Sequence, residues 1–247
     1  MQHLKTAALL SGPALLILLP AMVFGGWPAW AISALLVALL LLALWRSDTF
    51  LLRSLRAEPL READAPGLFA IIRTLVHRQH LGMPTVHLLQ SDVPNALLAA
   101  GTSGGAWHLV LTAGMLRELN SSQLAAVVAH HASLMESGAG IPLTLLATYL
   151  WALNRVPGAS FLSAILLRLI APPGLKFQAD ASSAHLMGDS RPLLDALKII
   201  TAHRPGLISA ASSHLWFCDP ARDAELCQQR MARLTALALR RVLAVSI

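Results

Sequence analysis

Two uncharged apolar runs at the start of the chain constrain its fold more than any other feature. Thr6 to Gly25 is apolar apart from Thr6 and Ser11. At 1.5 Å rise per residue it covers about 30 Å, the thickness of a bilayer's hydrocarbon core. Pro13 and Pro20 kink it, which membrane helices tolerate. Ala29 to Trp45 is a second run, dense in leucine, and Trp27, Trp30 and Trp45 bracket it as interfacial anchors. A cleaved signal peptide is the competing reading of the first run, because Lys5 precedes it. No clear A-x-A site follows, and the second run begins within a few residues, so the pattern predicts a two-helix hairpin. Lys5 flanks one end, and Arg46, Arg53, Arg56 and Arg61 follow the other. The positive-inside rule then places both flanks, and the main domain after them, in the cytosol.

Composition agrees with a membrane protein. Hydrophobic residues make up 55% and charged residues 13%, with a mean hydropathy of +0.60, against about 25% charged in soluble domains. The net charge of +6 raises nucleic acid as a partner. The basic residues form no dense patch with interleaved aromatics, so the reading is no nucleic acid and a lipid bilayer instead. Cys218 and Cys227 stand nine apart with no CxxC pair, and two free thiols in a reducing compartment are expected.

Between residues 49 and 137 the pattern alternates between helix and strand. Ala65 to Gly82 has Leu68, Ile71, Ile72, Leu75 and Val76 at helical spacing. Thr85 to Leu89 and Trp107 to Thr112 read as strands, most simply a two-strand meander, with a turn region at Gly101 to Gly105. Asn120-Ser121-Ser122 offers an N-cap to a helix over Gln123 to Met135. Gly138 to Leu153 and Ala159 to Ile170 are apolar but short for full spans. They fit a re-entrant or interfacial hairpin, a tilted hairpin, or buried core helices. Helices over Phe177 to Met187, Arg191 to His203 and Ala224 to Ala244 complete the chain. The expected organisation is a transmembrane hairpin (1–48), a first part of the main domain (49–137), a hydrophobic hairpin, membrane-spanning or interfacial (138–174), and a second part of the main domain (175–247).

The chemistry-bearing stretch is Val127 to Leu134, V-V-A-H-H-A-S-L. Its layout is that of H-E-x-x-H, where two histidines four apart bind zinc and the glutamate activates the metal-bound water. His130 keeps the first position. His131 stands where the glutamate belongs, and Leu134 where the second histidine belongs.

Further segments carry a resemblance. Pro94-Asn95-Ala96 followed by Ala100-Gly101 is similar to a P-N-A-x-x-x-G edge-strand segment. Gln123 to His130 is similar to an E-L-x-x-V-L-A-H entry, Leu109 to Leu119 to the strand and turn before it, and Lys176-Phe177-Gln178-Ala179-Asp180 to an E-F-x-A-D segment. Leu215 to Pro220 and Gln229 to Leu234 resemble the closing segments. In this order the chain resembles the HtpX-like family of membrane zinc metalloproteases, relatives of the CAAX prenyl proteases. The resemblance implies a mainly α integral membrane protein with a small β-sheet, a zincin-like (gluzincin) fold and a place in the bacterial inner membrane. It also implies zinc ligands at His130, Leu134 and Lys176, with Asp180 in the shell behind them. Leucine has no lone pair to give, and lysine must lose a proton first. A rearranged set of His130, Asp180 and His185 is the alternative.

Three functions fit these residues. The leading one is an inactive homologue with no cofactor, which binds unfolded or membrane-protein clients, or an active protease paralogue, in membrane protein quality control. The second is an active zinc endopeptidase with a non-standard ligand set. The third is a membrane scaffold whose groove is irrelevant. Lys176 is expected either to stand in for the metal, paired with Asp180, or to point to solvent. The strand near Asn95, Ala96 and Gly101 either pairs with an extended peptide or is a plain exposed edge.

Overall fold

The structure is a computed structural model that describes residues 2–102, 106–203 and 211–245. The expected turn region at 101–105 falls partly outside the described residues.

The two apolar runs are helices α1 (Gln2–Phe24) and α2 (Trp27–Trp45). They fold back on each other through Gly25 and Gly26, whose φ angles of 66° and 83° suit glycine. Their outer faces expose Leu15, Leu16, Met22, Ile32, Leu35 and Leu39, a surface matched to lipid rather than water. α1 also leans on the rest of the molecule: the Tyr149 hydroxyl donates to the Leu9 carbonyl, and Lys5 Nζ donates to the Ile170 carbonyl at 3.1 Å. A short helix that periodicity does not predict, α3 (Ser47–Leu55), follows α2 directly.

Helix α4 (Pro66–Arg78) buries the stripe Leu68, Ile72, Leu75 and Val76. The sheet holds β1 (Glu58–Pro59), β2 (Thr85–Leu89), β3 (Ala96–Ala100) and β4 (Trp107–Thr112) in the order β1-β2-β4-β3. This corrects the two-strand meander. β2 and β4 are neighbours but run parallel, with Val86 opposite Leu109. The chain leaves β2, forms β3 at the far edge and returns as β4 between them, antiparallel to β3. The Ala-Leu-Leu-Ala-Ala of β3 has no alternation because every residue in it is buried.

α5 (Ala113–Glu118) leads into α6 (Ser121–Glu136). Asn120 and Gln123 close a reciprocal capping box at the start of α6, each bond 3.0 Å. α7 (Gly140–Leu153) is mostly buried, whereas α8 (Ser160–Ile170) exposes Phe161, Leu162, Ile165 and Leu169. α9 (Gly174–Met187), α10 (Arg191–Ala202) and α11 (Ala224–Val245) complete the fold, and Gly188 ends α9 at φ 70°. α1, α2 and the stretch Ser160–Met187 are long and apolar enough to cross a membrane. The third stretch breaks between α8 and α9, and α9 turns its small residues onto α6 rather than outward. Ala126, Ala129, Ala179 and Ser183 meet there, all buried, and Ser183 Oγ donates to the Ala126 carbonyl at 2.7 Å. We therefore place α9 in the main domain.

The two cysteines are joined, Cys218 to Cys227. This corrects the expectation of free thiols. The first turn of α11 folds back against segment 216–218, bringing the Cα atoms to 6.6 Å, within bridging distance.

A histidine cavity with a lysine in its wall

The close approach of α6 and α9 decides where the singled-out residues go. His130, His131 and Leu134 from α6 and Lys176 from α9 line one cavity of about 290 Å3. His214 and Trp216 close it from the other side.

His130 is 1% exposed. Its Nδ1 lies 2.8 Å from Asp180 Oδ1. The ionised carboxylate only accepts, so the imidazole donates from Nδ1 and keeps a lone pair on Nε2. Asp180 is held in turn by Arg230, whose Nε and Nη2 each donate to it at 2.7 Å. Arg230 is fully buried, donates from Nη1 to the Phe217 carbonyl, and lies with its guanidinium carbon 4.5 Å from the Phe217 ring centre. Burial alone would raise the Asp180 carboxyl. The Arg230 charge and hydrogen bonds, with His130 behind them, hold it well below the usual carboxylate range. Burial lowers His130 despite its bond to Asp180. The imidazole is neutral.

His131 faces a different partner. Its Nδ1 donates to the Val127 carbonyl at 2.8 Å, one turn back. Its Nε2 is buried with no hydrogen-bond partner among the described residues. Burial, then the neighbouring His130, push it down to about 3. A group this reluctant to accept a proton is a weak base at neutral pH. His214 repeats the arrangement: Nε2 donates to the Leu143 carbonyl at 2.9 Å, and Nδ1 is left without a partner.

Lys176 is half-buried on the cavity wall. Burial, then the Arg230 charge, lower its ammonium to about 8, against the pull of Asp223, Asp180 and Asp219. The expected pairing with Asp180 is not made. Both Asp180 oxygens go to His130 and Arg230 instead.

These residues do not fit a zinc ion. Leu134 has no donor atom, Lys176 is cationic, and Asp180 is committed to a guanidinium. His185 is exposed and lines a separate hollow with Arg78 and Glu136, so the set His130, Asp180 and His185 is not brought together. Among the described residues no group of three or more His, Cys, Asp or Glu is placed to hold a metal ion.

Asn95, Ala96 and Gly101 lie beside this cavity rather than in it, and all three are buried. Asn95 Nδ2 donates to the Cys218 carbonyl at 2.6 Å. Leu97 bridges to Trp216, Phe217 N donates to the Ala96 carbonyl at 2.7 Å, and Ala100 N donates to Thr144 Oγ1 at 2.9 Å. The chain itself therefore fills the outer edge of β3. A side chain at Gly101 would meet Asp48 Oδ2 at 2.5 Å, which explains glycine there. Neither Arg230 nor Phe217 stands out as functional in the sequence. The available signal was the spacing Cys227, Arg230, Leu234, which sets an arginine on a buried helix stripe.

No protein-family model matches the chain. It is 27% identical to a Protease HtpX homolog of Pelotomaculum thermopropionicum, over 97% of this chain and all of that protein. It is 28% identical to a Protease HtpX homolog of Methylibium petroleiphilum, over 85% of this chain and 84% of that one. The crystal structure of S. mikatae Ste24p superposes with a TM-score of 0.51 at 18% identity, covering 94% of this chain and 64% of that one. That likeness is one of fold, and the chain spans just under two thirds of that structure's length.

Proposed function

We propose that this chain, which belongs to the HtpX-like family of membrane proteases, has kept the protease fold and cleft and binds polypeptide without cutting it. One observation carries the reading. The three positions that the resemblance assigns to zinc ligands meet at one cavity, and they present a neutral imidazole, a leucine and a lysine. The remaining chemistry agrees. His131, at the glutamate position, is fixed by Val127 and resists protonation. Asp180 and Arg230 supply, as a buried ion pair, a link from α9 to α11 and, through His130, to α6.

The family's hydrolysis uses a metal-activated water, and these residues supply no ligand set for it. What they supply is a chamber with the Lys176 ammonium on its wall, while the unpartnered His131 and His214 nitrogens are buried behind its surface. A peptide carbonyl can accept from that ammonium. The client would be an unfolded or membrane-protein segment, or an active paralogue, at the bacterial inner membrane.

The test is metal content of the detergent-solubilised protein, with and without His130→Ala, beside cleavage of casein. No stoichiometric metal and no cleavage in either sample is expected. About one zinc per chain, lost in the variant, would overturn the reading. It would favour an active enzyme with a non-standard ligand set, for which the unpartnered His131 and His214 nitrogens are the specific motive.

Orientation is a separate proposal. The arginines after α2 favour a main domain in the cytosol. Disulfides are rare in that compartment, but Cys218 and Cys227 are 0% and 2% exposed and so shielded from soluble thiols. A reporter fused after residue 247 decides the side directly.

A further inference from the structure

Where the second apolar helix ends, α2, α3 and α7 leave a groove of about 470 Å3 between them. Leu39, Leu42 and Ala43 form one wall, and Phe50, Trp151 and Ala152 the other. Phe50 and Trp151 meet edge to face, ring centres 4.8 Å apart. Arg46 and Arg53 stand at the mouth. Arg46, which precedes α3, and Thr49, Phe50 and Arg53 within it are spaced by 3, 4 and 7, so the start of α3 and the face that follows present two guanidiniums, a hydroxyl and an aromatic ring. Both arginines are exposed, and neither has an acidic partner among the described residues. The nearest carboxylate in sequence, Asp48, is turned toward His108 and Gly101. A third cation, Arg155, stacks 3.3 Å over the Trp151 ring.

We propose that this groove seats an anionic glycerophospholipid of the surrounding bilayer, its phosphate between Arg46 and Arg53 and an acyl chain along Leu39 to Ala43. Charge complementarity selects the occupant. A headgroup with net negative charge neutralises two unpaired guanidiniums, whereas a zwitterionic headgroup brings a cation of its own. Depth agrees: exposed Trp45 and groove-lining Trp151 lie at the end of the helix where interfacial aromatics sit, and basic pockets between membrane helices hold lipid headgroups. From Leu39 to Arg46 the helix rises about 10 Å, enough to line the upper part of an acyl chain. The site is independent of the histidine cavity, and its failure leaves the reading of that cavity untouched.

The test uses the full chain in mild detergent. Thermal stability and lipid affinity are measured with phosphatidylglycerol, with phosphatidylcholine of the same acyl chains, and with glycerol 3-phosphate. Phosphatidylglycerol alone is expected to stabilise the protein. The double substitution Arg46→Gln, Arg53→Gln is expected to weaken its binding about 30-fold. Ala152→Phe keeps the charges and fills the groove from an exposed position, so it provides a folded control that also loses the lipid effect. Equal stabilisation by phosphatidylcholine would reduce the groove to a non-selective apolar crevice and overturn the proposal. So would an equal effect of glycerol 3-phosphate, or a full lipid effect retained in either variant.

Discussion

Arg230 grips Asp180 through two hydrogen bonds of 2.7 Å, with the guanidinium fully buried. This ion pair ties α9 to α11 and orients His130 on α6 through the carboxylate's remaining capacity. Taking one partner away strands the other charge in the core, which costs about 3–5 kcal/mol. Arg230→Met and Asp180→Leu are each expected to lose that much in denaturant unfolding. The double variant is expected to lose clearly less than their sum. Additive losses would show that the two residues do not act as a unit.

Restoring the donor set tests the lost site from the opposite direction. The triple substitution His131→Glu, Leu134→His, Lys176→Glu returns two ligands and the water-activating carboxylate to positions that already share one cavity. About one zinc per chain by mass spectrometry is the expected outcome, with none in the parent. A folded triple variant that takes up no zinc would mean that the cavity has lost the geometry as well as the ligands.

Acid stability follows from the histidines. His131 is held near 3 in the folded chain and titrates near 6.5 once unfolded. Between those values the unfolded state binds the extra proton, so stability is complete above about pH 6.5 and falls as pH drops. The loss from pH 6.5 to 5 is on the order of 2 kcal/mol for this one group. Asp180 acts in the same sense but lower. Its depressed carboxyl contributes stability that is present above about pH 4 and lost as pH falls through its folded value. His131→Gln should reduce the slope of the upper part, to which His214, lowered to about 4 by burial, also contributes, and leave the lower part. An unchanged slope would point to other groups.

Opening the disulfide releases a short loop. For a separation of nine residues the entropic cost is roughly 2–3 kcal/mol. Cys227→Ser should lower the melting temperature, and reductant present while heating exposes the bond should lower that of the parent but not of the variant. Alkylation of the denatured, unreduced protein should label neither cysteine; two labels would show that the bond is absent in the isolated protein.

The helices were legible because each carries its own period or its own stop, such as Asn120 before α6 and Gly188 after α9. α3 was missed because nine residues holding Ser47, Asp48 and Arg53 have too little apolar repeat to register. Of the sheet order only the edge position of β3 was legible, through the resemblance at Asn95 to Gly101. β2 and β4 lie far apart in sequence, and nothing local says that a later strand will insert beside an earlier one. The cavity depends on a meeting of α6 with α9 across 50 residues, and only the resemblance brought Lys176 and Asp180 to His130 in advance. Arg230 was hidden by its chemistry: an arginine on a basic helix reads as surface until a buried carboxylate claims it. Two cysteines at a spacing of nine carry no pairing signal.

Segment 213–217 both walls the cavity and occupies the open side of β3. The protein thus complements its own sheet, as a tethered competitor for any strand that would add there. A client that paired with β3 would first have to displace this segment, and in doing so would open the chamber that contains Lys176. Any strand that adds to β3 therefore meets a competitor already in place, one residue from the Cys218–Cys227 bond.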